Sequence, residues 1–265
     1  MSETPHVLVE RDGPVVTVVL NRPEARNAMD LETFARMADA WQLIDGDPGV
    51  RVAILTGAGG HFSSGSDLKF MAGMKADSEW MKRFKDDPEL HWRSLLRSYR
   101  LKKPLIAAVE GTCVAGGTEI LQATDIRIAG LGAKFGISEA RWGLFPLGGS
   151  TVRLRRQIPY CRAMDILLTG RHLTAEEALE IGLVGRLVPT GEALTEAKKV
   201  AAQIAENGPL AVQAIKRSVL ETEGLPEKEA LAKELEIGWP ILSSEDAKEG
   251  PRAFAEKRKP NFTGR

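Results

Sequence analysis

Three segments of the 265-residue chain set glycines beside a carboxylate. The first is Gly57-Ala58-Gly59-Gly60-His61-Phe62-Ser63-Ser64-Gly65-Ser66-Asp67-Leu68, directly after an apolar stretch. The second is Ala115-Gly116-Gly117-Thr118-Glu119; the third is Phe135-Gly136-Ile137-Ser138-Glu139, leading through Gly143 to Pro146-Leu147-Gly148-Gly149-Ser150. Glycine lets a ligand approach the backbone and leaves N–H groups open to it. Each segment alone also has a plain structural reading. The first fits a tight turn before a helix capped by Ser66 or Asp67, the second a first-turn glutamate favoured by the helix dipole, the third a turn-rich connection with a surface glutamate. Together they hold the parts of an oxyanion hole, two backbone donors from separate loops, with two glutamates to move protons. That set suits chemistry on a carbonyl compound through an enolate, where charge develops on oxygen while protons move at neighbouring carbons.

The elements that must position these loops can be read from periodicity. Val7–Glu10 and Val15–Leu20 flank Asp12-Gly13-Pro14 and predict a hairpin. Asp30 precedes Leu31, Phe34, Ala38 and Trp41, an N-cap followed by an amphipathic helix that Asp47-Pro48-Gly49 ends. Val52–Thr56, Pro104–Glu110 and Ile126–Ala129 are apolar without alternation, as in strands covered on both faces, and Lys134-Phe135-Gly136 is a further extended piece. Helices are expected over Arg93–Leu101 and Ala115–Ala123, while 71–93 reads as an insert or loosely helical flap. Strands alternating with helices give an α/β class with parallel strands and crossover connections. Beyond Arg162 the pattern is helical. Thr174 and Glu177 form a capping box closed by Gly182, and Leu194–Glu206, Leu210–Glu221, Glu227–Ile237 and Ser244–Lys259 follow. Asn207-Gly208-Pro209 marks a boundary, giving a core of 1–206 and a helical region of 207–265.

Composition excludes several classes. Lys+Arg and Asp+Glu are both 36, so no broad field attracts nucleic acid or an anionic membrane, and neither is expected as a partner. The first twenty residues lack an apolar signal core, and the longest apolar runs fall far short of the roughly 20 residues of a membrane span. Two separated cysteines, Cys113 and Cys161, suit a reduced, cytoplasmic setting and argue against a disulfide framework or a zinc site; no metal is expected. No phosphate loop or dinucleotide fingerprint supports ATP or NAD, and none of His6, His61, His91 and His172 pairs with a serine in a recognisable triad order. The cluster Arg153, Arg155, Arg156 and Arg162 reads as a solvated face or a subunit contact more readily than as a phosphate site.

At this point the chain resembles the crotonase (enoyl-CoA hydratase/isomerase) superfamily, and within it actinobacterial enoyl-CoA hydratases. The resemblance lies in Asn21-Arg22-Pro23-Glu24-Ala25-Arg26-Asn27-Ala28, the Phe62–Leu68 loop, Lys103–Gly111, Ala115–Glu119, Asp125–Ala129, Phe135-Gly136, Glu139, Leu168-Thr169-Gly170, Ala178 with Gly182-Leu183-Val184, and Phe254–Pro260. It implies a spiral of ββα units with a C-terminal helical oligomerisation region that builds homotrimers or dimers of trimers. It further implies that the thioester oxygen is held by the N–H groups of Ser66 and Gly116, that Glu119 activates water, and that Glu139 delivers the proton. Coenzyme A, part of the substrate and the only such group implied, would lie along Ala25, Arg26, Ser64, Ser66, Asp67, Leu68 and Lys69, with Phe254 and Lys257 of a neighbouring subunit over the adenine. Retention of both glutamates points to reversible hydration of a trans-2-enoyl-CoA. A related dehydratase or double-bond isomerase is the alternative, and an RNA-binding relative is disfavoured by the neutral charge. The usual triple glycine reads Ala115-Gly116-Gly117, and Leu147 stands where a glycine is usual, beside the acyl pocket.

Overall fold

The computed structural model describes residues 4–67 and 79–265. Its strands are Val7–Asp12 (β1), Val15–Leu20 (β2), Val52–Gly57 (β3), Leu105–Val109 (β4), Thr112–Val114 (β5), Ile126–Gly130 (β6), Lys134–Gly136 (β7), His172–Thr174 (β8) and Arg186–Val188 (β9). β1 and β2 form the expected antiparallel hairpin, from Val7↔Leu20 to Asp12↔Val15. Parallel pairing then extends the sheet in the order β1-β2-β3-β4-β6-β9, while β5, β7 and β8 make a smaller sheet. Each of β4 and β6 is followed by a strand of the small sheet and then a helix, which produces the ββα turns the resemblance implies.

The apolar strands are covered on both faces because their residues alternate between two cores. Leu55, Leu105, Ala107 and Val109 face one core with Trp41 and Phe135, whereas Val52, Ile54, Ile106 and Ile128 face the other with Ala197, Val200 and Ala201. Those alanines belong to α8 (Ala193–Ala205). The first core is closed by α1 (Leu31–Gly46), whose Asp30 side chain accepts from the Thr33 N–H, the expected N-cap. Among the remaining helices, α4 (Gly116–Leu121) follows the small sheet's first strand, and α5 (Ser150–Gln157), α6 (Tyr160–Thr169) and α7 (Ala175–Glu180) precede α8. The capping box of Thr174 and Glu177 is formed as expected.

Two expected helices differ. Arg93–Leu101 is not a helix: α3 spans Leu90–Ser94, and Leu96 takes φ 52°, so Leu95, Leu96 and Leu101 all turn into the core instead of lying along one stripe. The last helix, α11 (Glu245–Ala255), stops short of Lys259 because Lys257 adopts φ 53° and Arg258 folds back onto the Glu249 carboxylate at 2.6 Å. Of the expected insert, 71–78 lies outside the described residues. From Glu79 it is helical, α2 (Glu79–Asp86) then α3, with Trp80, Phe84 and Leu90 packed on Ala35 and Ala38 of α1. After α8 come α9 (Pro209–Thr222) and α10 (Glu227–Gly238), tied to the body where Lys216 Nζ meets Asp125 at 2.6 Å. Both cysteines are free, and among the described residues no helix is long and apolar enough to cross a membrane.

Candidate active site

The loop after β3 is fixed by one buried amide. Asn27 takes the Arg22 N–H on its oxygen at 2.9 Å and donates from its nitrogen to the Ala58 and His61 carbonyls at 2.9 and 2.7 Å. Ser63 Oγ adds a bond to the Asn27 carbonyl at 2.8 Å. The loop then bridges to Met29, whose N–H donates to the Gly65 carbonyl and whose carbonyl accepts from Asp67. That alternation leaves the Ser66 N–H between two engaged groups with no acceptor of its own among the described residues. The Gly116 N–H, first in α4, is likewise unengaged, as the opening N–H groups of a helix are. Gly65, at φ 88°, is what lets the two loops meet: a Cβ there would stand 2.8 Å from the Ala115 Cβ and 2.9 Å from the Gly116 nitrogen. Ala115 itself takes φ 49° and ψ −126°, anchored by its N–H to the Gly136 carbonyl at 2.8 Å.

The two glutamates lie in unequal surroundings. Glu119, on the first turn of α4, is 5% exposed, and its Oε1 accepts from the Ser150 N–H at the start of α5, at 3.4 Å. The Ser150 hydroxyl, which takes a 2.8 Å bond from Gln122 Nε2, is a second donor to it. Burial raises the Glu119 carboxyl above the usual range, while the Ser150 and Gly148 N–H groups, the Ser150 hydroxyl and Arg153 pull back. Gly148 must be glycine for this contact, because a Cβ would meet Glu119 Oε2 at 2.6 Å. Glu139 opens the 3₁₀ turn Glu139–Trp142 after β7, and its Oε2 is buried without a partner among the described residues. Burial first, and the Glu119 charge second, push its carboxyl up to about 7. One group is thus supplied with donors that favour its ionised form, and the other is left to keep its proton.

Both carboxylates, with Ser64, Ser66, Gly116 and Leu147, line one cavity of about 660 Å³. The rest of its wall is largely apolar, including Met29, Phe34, Trp92 and Leu95, with His91 set edge-on to Phe34 at 4.4 Å. A second cavity of about 480 Å³ shares Ser64, Val114 and His172 with the first and carries Arg26 and Lys134. Ala25 lines neither cavity, but its carbonyl accepts from Ser64 Oγ at 3.2 Å. Asp67 does not line either cavity; its carboxylate is bound by Arg22 at 2.9 Å. Leu68 and Lys69 lie outside the described residues. Phe254, 87% exposed on α11, and Lys257 line neither cavity in this chain. Ser138 Oγ and His172 Nε2 are 2.9 Å apart, brought together by pairing of β7 with β8, but no carboxylate completes a triad among the described residues. Among those residues no group of three or more His, Cys, Asp and Glu could hold a metal ion. Ser150, Gly148 and Gln122 were not singled out as site residues from the sequence; the run Gly148-Gly149-Ser150 at a helix start was the available signal.

The sequence profile of the enoyl-CoA hydratase/isomerase family matches residues 10–265. The chain belongs to that family. It is 58% identical over 261 residues to the enoyl-CoA hydratase EchA19 of Mycobacterium tuberculosis, covering 98% of this chain and 97% of that one. A carnitinyl-CoA dehydratase of Salmonella paratyphi A is 38% identical over the full length of both chains. Among solved structures, an enoyl-CoA hydratase of Mycobacterium tuberculosis superposes with a TM-score of 0.88 at 42% identity, covering 99% of this chain and all of that one. The hydratase/isomerase family fold is therefore the fold of this chain, and the resemblance to actinobacterial hydratases read from the sequence holds.

Proposed function

We propose that this enzyme adds water reversibly across the 2,3 double bond of a trans-2-enoyl-CoA. The observation that carries the reading is the pair of unequal glutamates facing two unengaged N–H groups in one apolar cavity. The Ser66 and Gly116 N–H groups take the thioester oxygen and stabilise the enolate charge that grows on it. Glu119, held by donors that favour its ionised form, takes a proton from water as the oxygen attacks C3. Glu139, with its carboxyl near 7, gives its proton to C2. Reversal of the same steps dehydrates a 3-hydroxyacyl thioester, which is the second reading, favoured by the 38% identity to a carnitinyl-CoA dehydratase.

Coenzyme A would run from this cavity past Ser64 to Ala25 and Arg26, with Lys134 also lining the second cavity. The apolar wall supports an acyl group bulkier than a short chain, because a cavity of about 660 Å³ lies within the range that buries a drug-sized ligand. No metal or redox cofactor is needed for these steps. The enzyme is proposed to act in the cytoplasm as a homotrimer or dimer of trimers. Ile215, Val219, Leu231, Leu235 and Trp239 on and beside α9 and α10 are each more than half exposed, an apolar surface suited to a second copy of the chain. The test is a hydration assay on short, long and ring-bearing enoyl-CoA thioesters, following loss of the conjugated-thioester absorbance and identifying the product. A 3-hydroxyacyl-CoA product supports the reading; a shifted double bond without added water overturns it.

A further inference from the structure

Behind the turn that carries Gly148 and Gly149 lies a charged side chain that the steps above do not use. Arg153 projects from the first turn of α5, the helix whose start donates to Glu119. Its Nη2 donates to the Leu96 carbonyl at 2.5 Å, while Nη1 is buried with no partner among the described residues. The Gly148-Gly149 turn separates this guanidinium from the glutamate. A Cβ on Gly148 would press on the Glu119 carboxylate, and one on Gly149 would stand 3.4 Å from Arg153 Nη1. The two glycines thus let a carboxylate and a cation pack against adjacent positions of one turn. The far side of the turn opens on a cavity of about 440 Å³ that also carries Arg97, Arg100 and Arg156, with Asp125 and Glu223 as its acidic residues. Arg156 and Glu223 pair at 3.4 Å. Arg97 and Arg100 share the wall with Arg153, so the side of the turn facing away from the glutamates is strongly positive.

Two carboxyl groups in one dry pocket tend to share a proton, and nothing in the pair alone decides which keeps it. A reaction that needs one base and one acid requires that choice to be fixed. We propose that Arg153 is a positioning residue that secures it: its buried guanidinium adds to the Ser150 and Gly148 donors in keeping Glu119 the charged member of the pair, leaving the proton on Glu139. This rests on the two-glutamate reading above. Arginine suits the place because a guanidinium remains charged on burial where an ammonium readily gives up its proton. Burial and the neighbouring Arg100 bring Arg153 down to about 10, which still leaves it cationic near neutral pH. The charged or titratable groups around Glu119 are then Glu139, Asp30, Arg141, His91 and His172, which line the same cavity, and Arg153 behind the turn, with Arg97 and Arg100 beyond it.

The test titrates enzyme carrying ¹³C-carboxyl glutamate by NMR, with the two resonances assigned from their absence in Glu119→Gln and Glu139→Gln. In the wild type Glu119 should titrate at lower pH than Glu139. In Arg153→Gln the Glu119 midpoint should rise by about one unit, the low end of what a nearby opposite charge does to a carboxyl, and Arg153→Lys should move it less. The acid limb of the kcat profile should move up with it, while KM stays near the wild-type value. A merely structural role predicts lowered activity in both variants with the limb unmoved. The proposal is overturned if Glu139 titrates below Glu119 in the wild type, or if the Glu119 midpoint is the same in folded Arg153→Gln. Should that variant not fold, Arg153→Lys carries the test, and a Glu119 midpoint unmoved there overturns the proposal. Because the titration needs no turnover, a wild type that hydrates no enoyl-CoA overturns the hydratase reading without touching this result.

Discussion

Replacing Glu139 by glutamine should stabilise the protein, and more so as the pH rises. Glu139 carries a carboxyl pushed from 4.5 to about 7, by burial first and by the Glu119 charge second. Between those values the folded protein holds a proton that the unfolded chain has released, so stability falls as pH rises through the window from about 4.5 to about 7. Each unit is worth about 1.4 kcal/mol, and the 2.5 units between 7 and 4.5 give an upper bound of about 3.4 kcal/mol. Solvent reaching the exposed part of the side chain reduces this to roughly 1–2 kcal/mol. Glutamine keeps the shape of the protonated acid and has no charge to desolvate. The stability gap between Glu139→Gln and wild type should therefore widen by roughly 1–2 kcal/mol from pH 5 to pH 8, a Tm difference growing by roughly 2–6 °C for a chain of this length. Thermal melts followed by circular dichroism across that range would read it directly. A gap that is constant with pH, or that narrows toward pH 8, would refute the reasoning that Glu139 is held protonated.

Kinetics give three further outcomes. Glu119→Gln and Glu139→Gln should each lower kcat by roughly 10²–10⁴-fold with acyl-CoA binding retained, and the double variant should fall well short of the product of the two; a single variant keeping a tenth of the activity would instead favour a one-carboxylate isomerase. Gly148→Ala should stay folded, since the atom its Cβ meets at 2.6 Å is the movable end of Glu119, yet lose roughly 10²-fold in kcat by displacing that carboxylate. Steady-state assays with melting curves would separate that from a folding defect, which would count against the contact. Ile215→Glu combined with Leu235→Glu should lower the mass seen by light scattering, and a wild type that is monomeric and fully active would sink the oligomer reading.

Much of the fold was legible because its determinants are local. The Asp30 cap, the Thr174–Glu177 box, the Gly13-Pro14 turn and the unalternating strands all appear where the pattern sets them. Arg93–Leu101 misled because leucines at 95, 96 and 101 serve a helix stripe and a core-lining coil equally well, and only packing decides between them. The site was legible as residue types but not as environments. Glu119 and Glu139 sit alike in sequence, beside glycines, yet one receives donors from Ser150 thirty-one positions away while the other has only its own backbone N–H and a buried Oε2 without a partner among the described residues. In sequence Arg153 reads with its neighbours as a solvated face or a subunit contact, since a run of arginines on a short helix does not say which one points inward.

Ala115 has a consequence for how this enzyme could change. At φ 49° and ψ −126° it holds a backbone shape that glycine takes freely and that costs a residue with a Cβ roughly 1–3 kcal/mol. The penalty is borne beside the Gly116 N–H, where bonds from Ala115 to Gly136 and from Glu119 to Ala115 keep the peptide from relaxing. That makes position 115 a reserve of stability. Selection for heat tolerance would find Ala115→Gly early, raising the melting temperature while leaving the direction of the neighbouring donor, and with it turnover, almost untouched.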